Sequence, residues 1–107
     1  MRQARRVYYK VHKQGGYTML AICDEKLLGV ELEYNNVRVK ITRDFFGGSL
    51  VLLDDELLRK EIAGADSITA FGEDSLSLLE EIYPSVRKAS LRVAGVPYVQ
   101  VFRIMSE

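Results

Sequence analysis

Hydrophobic and polar side chains alternate through the first part of the chain, a pattern typical of β-strands. Residues 7–11 alternate and are rich in strand-forming types, and the run 17–23 follows after turn residues that include Gly15 and Gly16. These two runs predict an antiparallel hairpin. The segment 24–29 is too short for a stable helix and ends in glycine, so we predict a single helical turn there.

A second strand pair is predicted at 30–34 and 37–42. Its two runs are separated only by Asn35 and Asn36, which tolerate positive φ and favour a tight hairpin turn. Because both pairs are joined by short connections, the N-terminal half is predicted to be an antiparallel meander.

Helical patterns begin in the middle of the chain. The segment 54–63 has acids at its start, bases later and Gly64 just beyond it, which predicts a helix with Asp54 as its N-cap. A second helix is predicted at 72–83, because its apolar residues recur on one face. Pro84 is expected to end that helix.

Three further strands are predicted at 67–71, 89–93 and 98–104. The last two are joined by a glycine and proline turn at 94–97. The run 67–93 is therefore a strand–helix–strand unit. If its two strands are parallel, the crossover should be right-handed and the helix should cover one face of the sheet.

Together these elements predict an α+β fold in a single domain, residues 7–107, preceded by a basic N-terminal arm at residues 1–6. A chain of 107 residues with 48% hydrophobic content can form one core. The longest apolar run, 19–23, is far shorter than the ~20 residues that a membrane span needs. We therefore expect no contact with a membrane and a cytoplasmic location.

The sequence lacks the motifs of the common enzyme and cofactor classes. It contains no phosphate-binding loop and no dinucleotide fingerprint, so no nucleotide cofactor is expected. One cysteine, Cys23, and one histidine, His12, cannot build a disulfide or a zinc site by themselves. Cys23 ends an apolar run and is interpreted as a small buried hydrophobic residue. We expect no cofactor, no metal, no catalytic residue and no enzymatic activity.

A net charge of zero conceals a strong separation of charge along the chain. Residues 1–13 contain basic side chains and no acidic ones, and the same is true of residues 87–103. Residues 54–82 instead carry nine acids against Arg59 and Lys60. Basic groups therefore belong mainly to predicted strands, and acidic groups to predicted helices.

Strand alternation predicts a basic face on the sheet. When the apolar members of each strand face the core, the polar and aromatic ones between them point outward. Such a face suits RNA, because cations bind phosphates and tyrosine rings stack on bases. Together with the basic arm, the residues predicted to bind RNA are Arg5, Arg6, Tyr8, Lys10, Lys13, Arg38, Lys40, Arg92 and Tyr98.

The sequence leaves several points of this interpretation open. In the last strand, either the even-numbered residues from Tyr98 to Phe102 or the odd-numbered ones from Val99 to Arg103 face outward. Lysine and arginine on strands also serve simply to prevent edge-to-edge pairing.

Two other functions also stay open. The acidic helices, residues 54–82, would suit docking of a basic protein partner. A small enzyme would need Asp24 or Asp44 as acid or base near His12, although isolated carboxylates in turns are mostly caps.

Four segments are informative when taken together: Tyr-Lys-Val-His at 9–12 leading to Gly15-Gly16, the run 21–29, Phe-Phe-Gly-Gly at 45–48, and Gly-Val-Pro-Tyr-Val-Gln-Val at 95–101. With them the chain resembles a small archaeal family classed as domain of unknown function four-twenty-four. The resemblance extends from about Tyr8 to Ile104, and the basic arm looks like an addition. It implies a single α+β domain with no assigned activity and a link to RNA binding or translation.

The segments that carry the resemblance include turns and strand ends, where function is found more often than in cores. We expect some of these positions to converge at one end of the sheet, beside the basic strands, and to form the binding surface. They are Gly15, Gly16, Asp24, Gly47, Gly48, Gly95, Pro97 and Gln100. The predicted function is RNA binding or association with a ribosomal particle, without catalysis.

Overall fold

The computed structural model describes residues 4–103. The first residues of the predicted arm and Ile104 of the predicted last strand lie outside this range. In chain order the strands are β1 (Arg6–Gln14), β2 (Tyr17–Asp24), β3 (Glu31–Tyr34), β4 (Val37–Lys40), β5 (Ser49–Leu52), β6 (Ser67–Phe71), β7 (Leu91–Val93) and β8 (Val96–Phe102). The helices are α1 (Arg43–Phe46), α2 (Glu56–Gly64) and α3 (Glu73–Ile82), with 3₁₀ segments at Glu25–Leu27 and Pro84–Ala89.

Six strands form one sheet in the order β5-β1-β2-β6-β8-β7, and β3 pairs with β4 in a separate two-stranded sheet. Neighbouring strands are antiparallel except for the central pair β2 and β6, which is parallel. The predicted α+β class is confirmed. In the strand–helix–strand unit, β6 and β7 are parallel but not adjacent, because β8 lies between them.

Helices α2 and α3 cover one face of the large sheet. Their buried leucines and isoleucines pack on alternate residues of the strands, such as Leu20, Ile22 and Ile68. The strand predicted at 67–71 is present as β6, and every residue of it is buried. A strand that is buried on both faces needs a cover on both faces, and the helices supply only one.

The β3–β4 hairpin and α1 supply the second cover. Leu32 of β3, Phe46 of α1 and Ile41 of the segment between β4 and α1 form a second core with Cys23 and Phe71 on the opposite face of the sheet. The predicted continuous meander is therefore wrong in one respect. Both hairpins form, and Asn35 and Asn36 adopt the expected positive φ, but the second hairpin lies on the sheet instead of extending it.

Smaller differences concern element boundaries. Strand β5 is absent from the sequence prediction, which assigned no element to residues 49–52. Helix α2 begins later than predicted, and its N-cap is Asp55, not Asp54, because the Leu58 N–H donates to Asp55 Oδ2 at 3.0 Å. The last turn contains only Ala94 and Gly95, at positive φ, so that Pro97 already belongs to β8.

Candidate nucleic-acid interface

The predicted basic face does not exist as one open surface. Tyr8 and Tyr98 are half-buried against the second core, and the Tyr98 ring lies 4.6 Å from that of Phe71. Arg92 alternates with the buried Val93, so it lies on the helix side of the sheet, 3.8 Å from Glu73. The prediction that Tyr8, Lys10, Arg38, Lys40 and Arg92 share one exposed face is therefore wrong, because the β3–β4 hairpin covers much of that face.

Several predicted RNA-binding arginines are paired within the chain. The pairs are Arg5 with Asp74 at 3.2 Å, Arg6 with Glu25 at 2.7 Å and Arg38 with Glu31 at 3.7 Å. The first two lie at the start of β1, so the described part of the basic arm is docked on the domain. Arginines with acidic partners offer less net positive charge to a phosphate.

Three other cations converge beside α1. Lys10 Nζ donates to the Asp44 carbonyl at 2.7 Å, and Lys40 and Arg43 line a shallow cleft with Asp44. Among the residues that the structure describes, none of the three forms an ion pair. We call Lys10, Lys40 and Arg43 the α1 cations. The first two belong to the predicted set, whereas Arg43 was missed.

Between α1 and the turn at Gly15 and Gly16, the second face of the large sheet carries no covering element within residues 4–103. Register places His12, Met19, Ser67 and Phe102 side by side on β1, β2, β6 and β8. Two aromatic side chains are exposed here, Tyr17 by 48% and Phe102 by 63%. We call this surface the open strip; it comprises His12, Gln14, Tyr17, Met19, Ser67, Thr69, Gln100 and Phe102. No member of it is acidic.

The open strip settles the facing of the last strand. Val99 and Val101 pack in the first core, whereas Gln100 and Phe102 are exposed on the strip. Lys13 is exposed at the end of β1 and shares a cleft with Gln14, Tyr17 and Met19. Sequence reasoning missed Tyr17 as a binding residue because its strand pattern does not show where the cover of the sheet ends.

His12 fixes α1 at the border of the strip. Its ring stacks on that of Phe45 at 4.7 Å, and its Nε2 lies 2.8 Å from the Phe45 carbonyl oxygen. The histidine thus has a carbonyl, not a carboxylate, as its hydrogen-bond partner. Asp24 lies at the far end of the sheet from His12, so the structure does not bring these two side chains together.

Asp24 instead caps helix α3 from the end of the neighbouring strand. Its Oδ1 accepts from Ser75 N at 2.8 Å and from Ser75 Oγ at 2.9 Å, and its Oδ2 accepts from Asp74 N at 3.1 Å. Burial raises the pKa of this carboxyl, while the three donated hydrogen bonds act in the opposite direction. The carboxylate thereby fills the place that an anionic ligand would take at this helix end.

The turns do not converge as predicted. Asp24, Gly95 and Pro97 lie at one end of the sheet, where the Gly72 N–H donates to the Pro97 carbonyl at 2.8 Å. Gly15 and Gly16 lie at the opposite end, because strand β2 separates them from Asp24. The expectation of one binding end is therefore wrong for Gly15 and Gly16.

Gly47 and Gly48 have a packing role beside β1. A side chain on Gly48 would collide with the Tyr9 carbonyl and approach Lys10, and one on Gly47 would meet Arg43. Gly48 therefore allows this loop to lie directly against β1. Gln100 is the one member of the loop set that lies on the open strip, where its Oε1 accepts from the Tyr98 hydroxyl at 2.7 Å.

Cys23 is expected to react very slowly with thiol reagents in the folded protein. The side chain is fully buried, and burial, helped by the charge of Asp24, raises the pKa of the thiol to about 12. Since the thiolate is the reactive form, labelling by an aromatic disulfide at pH 8 should be at least about a thousandfold slower than in denaturant. Stopped-flow absorbance measures both rates, and equally fast labelling of the native protein would contradict this environment.

Within residues 4–103, the structure contains no group of three or more histidine, cysteine, aspartate or glutamate side chains able to hold a metal ion. None of the helices in that range is long and apolar enough to cross a membrane.

The described residues form a small three-layer α+β fold. The family described as "Protein of unknown function (DUF424)" matches residues 12–104, so the chain belongs to that family. The crystal structure of an uncharacterized conserved protein from Methanopyrus kandleri, an archaeon, is similar, with 29% sequence identity and a TM-score of 0.83 over 95% of each chain. No curated protein matches. Neither description includes a catalytic activity.

Proposed function

We propose that this protein binds RNA through the open strip and the α1 cations. The observation that carries the proposal is the exposure of Tyr17 and Phe102 on a sheet face that no helix or hairpin of residues 4–103 covers. This face borders three cations that have no acidic partners among the described residues. Proteins that bind nucleic acid on a sheet combine these two components, because rings contact bases while cations contact phosphates. The proposed function is binding without catalysis.

An exposed amide on the strip favours RNA over DNA. Gln100 is exposed, whereas the hydroxyl residues Ser67 and Thr69 beside it are buried. The Gln100 amide can hydrogen-bond to a ribose 2′-hydroxyl, which is the group that distinguishes RNA from DNA. We therefore expect the same oligonucleotide made as DNA to bind less tightly.

Docking of a basic protein on the acidic helices has weaker support. Arginines already lie against much of the acidic surface: Arg59 is 2.9 Å from Glu81, and Arg87 is 3.1 Å from Glu73 and 3.4 Å from Glu80. These contacts lower the net negative charge that a basic partner would meet. RNA binding is therefore the better-supported function.

Neutralising the α1 cations is expected to weaken RNA binding strongly. In a Lys10→Gln, Lys40→Gln, Arg43→Gln variant, affinity for a fluorescein-labelled RNA of mixed sequence should fall at least tenfold at low salt. The slope of log affinity against log salt should become shallower by about 2, since each phosphate contact contributes roughly 0.7 for a single strand. Fluorescence anisotropy from low to moderate KCl measures both quantities.

The matched control removes the same charge elsewhere. Lys26, Lys60 and Lys88 are exposed and lie on helical segments away from the strip. A Lys26→Gln, Lys60→Gln, Lys88→Gln variant should keep nearly the wild-type affinity. Equal losses in both variants would show only an effect of overall charge, and no binding by the wild-type protein at low salt would reject RNA as the ligand. Equal affinity for the DNA version would reject the preference for RNA.

The proposed cellular target is a ribosomal particle or another RNA of the translation machinery. If this is correct, the native protein should co-migrate with ribosomal particles in a density gradient of lysate at low salt. It should leave them at high salt, because counterions compete for the phosphates. Migration with the free proteins under both conditions would exclude stable association with ribosomes.

A further inference from the structure

We propose that the open strip accepts unpaired bases, with Phe102 and Tyr17 as two separate stacking positions. This inference rests on the proposed RNA-binding function and specifies the ligand as a single strand. It follows from the side chains that the strip exposes, from their spacing on the strands, and from the position of the cations.

The exposed rings can stack on unpaired bases, whose faces are accessible. In a duplex the faces of the bases are hidden in the stack, and proteins bind double-stranded RNA through phosphates and 2′-hydroxyls along its grooves. Phe102 has no polar atom on its side chain, so it can contribute to RNA binding only by contact with a base or sugar. Its exposed fraction of 63% leaves the ring available for such contact.

The two rings are too far apart to hold one base. Phe102 is in register with Ser67, which is in register with Met19, so it lies two strand spacings, or roughly 10 Å, from β2. Tyr17 lies further along β2, beyond Met19. The two rings therefore bind different bases of one strand.

Gln100 supplies an exposed polar group beside Phe102. It precedes Phe102 by two residues on β8, so the two side chains lie on the same face of the strand. The neighbouring hydroxyl residues of β6, Ser67 and Thr69, are buried. A base or ribose that lies next to Phe102 can therefore form hydrogen bonds with the Gln100 amide.

The α1 cations lie on one side of the strip. Lys10 is on β1 and Arg43 is on α1, both on the side away from β8. A single strand can place its phosphates along this side and direct its bases across β2 and β6 toward Phe102.

The test compares one RNA in two forms. A labelled twelve-nucleotide RNA without self-complementarity is titrated as a single strand and again after annealing to its complement. We expect the single strand to bind at least tenfold more tightly. Phe102→Ala and Tyr17→Ala should each weaken single-strand binding roughly 5- to 160-fold, the range for loss of one base stack. Phe102→Tyr and Tyr17→Phe should keep most of the affinity.

Tyr34 provides the control ring. It is 42% exposed, which resembles Tyr17, but it lies on the β3–β4 hairpin and not on the strip. Tyr34→Ala should leave the affinity unchanged. All three aromatic side chains are exposed, so their replacement by alanine should change the melting temperature little. Thermal unfolding of each variant checks that the fold is intact.

A direct optical readout is available because the chain contains no tryptophan. In a Phe102→Trp variant the single indole should be quenched when a base stacks on it, and the duplex should quench it far less. Equal binding of both forms together with wild-type affinity of Phe102→Ala would overturn the stacking proposal, while loss of binding on neutralising the α1 cations would still support RNA binding. Absence of binding to either form would reject the proposed function itself.

Discussion

Alanine in place of Gly72 is expected to lower the free energy of unfolding by about 3 kcal/mol or more, through two separate effects. Gly72 precedes α3 with φ 112° and ψ 157°, a backbone conformation that is accessible almost only to glycine. An added Cβ would also collide with the carboxylate of Asp24, which has no room to move because it caps α3. The melting temperature should fall by roughly 10 to 20 °C.

Two other glycines separate these effects. Gly95 has φ 83°, but an added Cβ would meet no other part of the chain within 4 Å, so Gly95→Ala tests the backbone conformation alone and should cost about 1 kcal/mol. Gly64 has neither constraint and ends α2, so Gly64→Ala should change stability by less than about 1 kcal/mol. Chemical denaturation of the three variants measures the differences. A Gly72→Ala variant as stable as Gly95→Ala would show that Asp24 does not hold this position.

The local elements of the fold are predictable because their signals are local. Two positive-φ asparagines between alternating runs produce the β3–β4 turn, and the largely apolar character of 67–71 produces a strand that is buried on both faces. Helix α3 follows from its one-sided apolar pattern and from Pro84. None of these needs information about distant residues.

The layer order is not predictable from the same signals. Whether a hairpin extends a sheet or lies on it depends on which other surface remains apolar, and this is a property of the whole assembly. Cys23 and Phe71 are apolar residues on the face away from the helices, and the second hairpin and α1 cover them in the structure. The alternating pattern of strand β5 is too short to be recognised in the sequence. The strand forms by pairing with the first part of β1, from Arg6 to Tyr9, on the edge that β2 leaves free.

The candidate site was predicted only in part, for the same reason. Lys10 and Lys40 follow from strand alternation, and the structure brings both of them to α1. Tyr8 and Tyr98 were chosen as stacking residues by alternation too, yet the second layer covers them. Tyr17 and Phe102 take that role in the proposal because they lie beyond the edge of the cover, and strand periodicity carries no information about that edge.

Removal of the Asp24 side chain should destabilise the fold almost as much as a side chain on Gly72. In Asp24→Ala, the Asp74 N–H and the N–H and hydroxyl of Ser75 lose their acceptor inside the protein. Leaving such donors without partners should cost about 3 kcal/mol in total. Asp24→Asn keeps one oxygen acceptor for Ser75 but places an amide donor opposite the Asp74 N–H, so it should cost about 1 to 2 kcal/mol.

The pH dependence separates the charge of Asp24 from its hydrogen bonds. Because burial raises the pKa of this carboxyl in the folded state, the folded protein binds the proton more tightly than the unfolded chain does. The contribution of Asp24 to stability is therefore fully present below the unfolded pKa and decreases as the pH rises through the folded pKa. Asp24→Asn lacks this titration. The free energy of unfolding of the wild type minus that of Asp24→Asn, measured by urea denaturation, should thus be larger near pH 4 than at pH 7. A difference that grows with pH would mean that the three donated hydrogen bonds outweigh burial and lower the pKa.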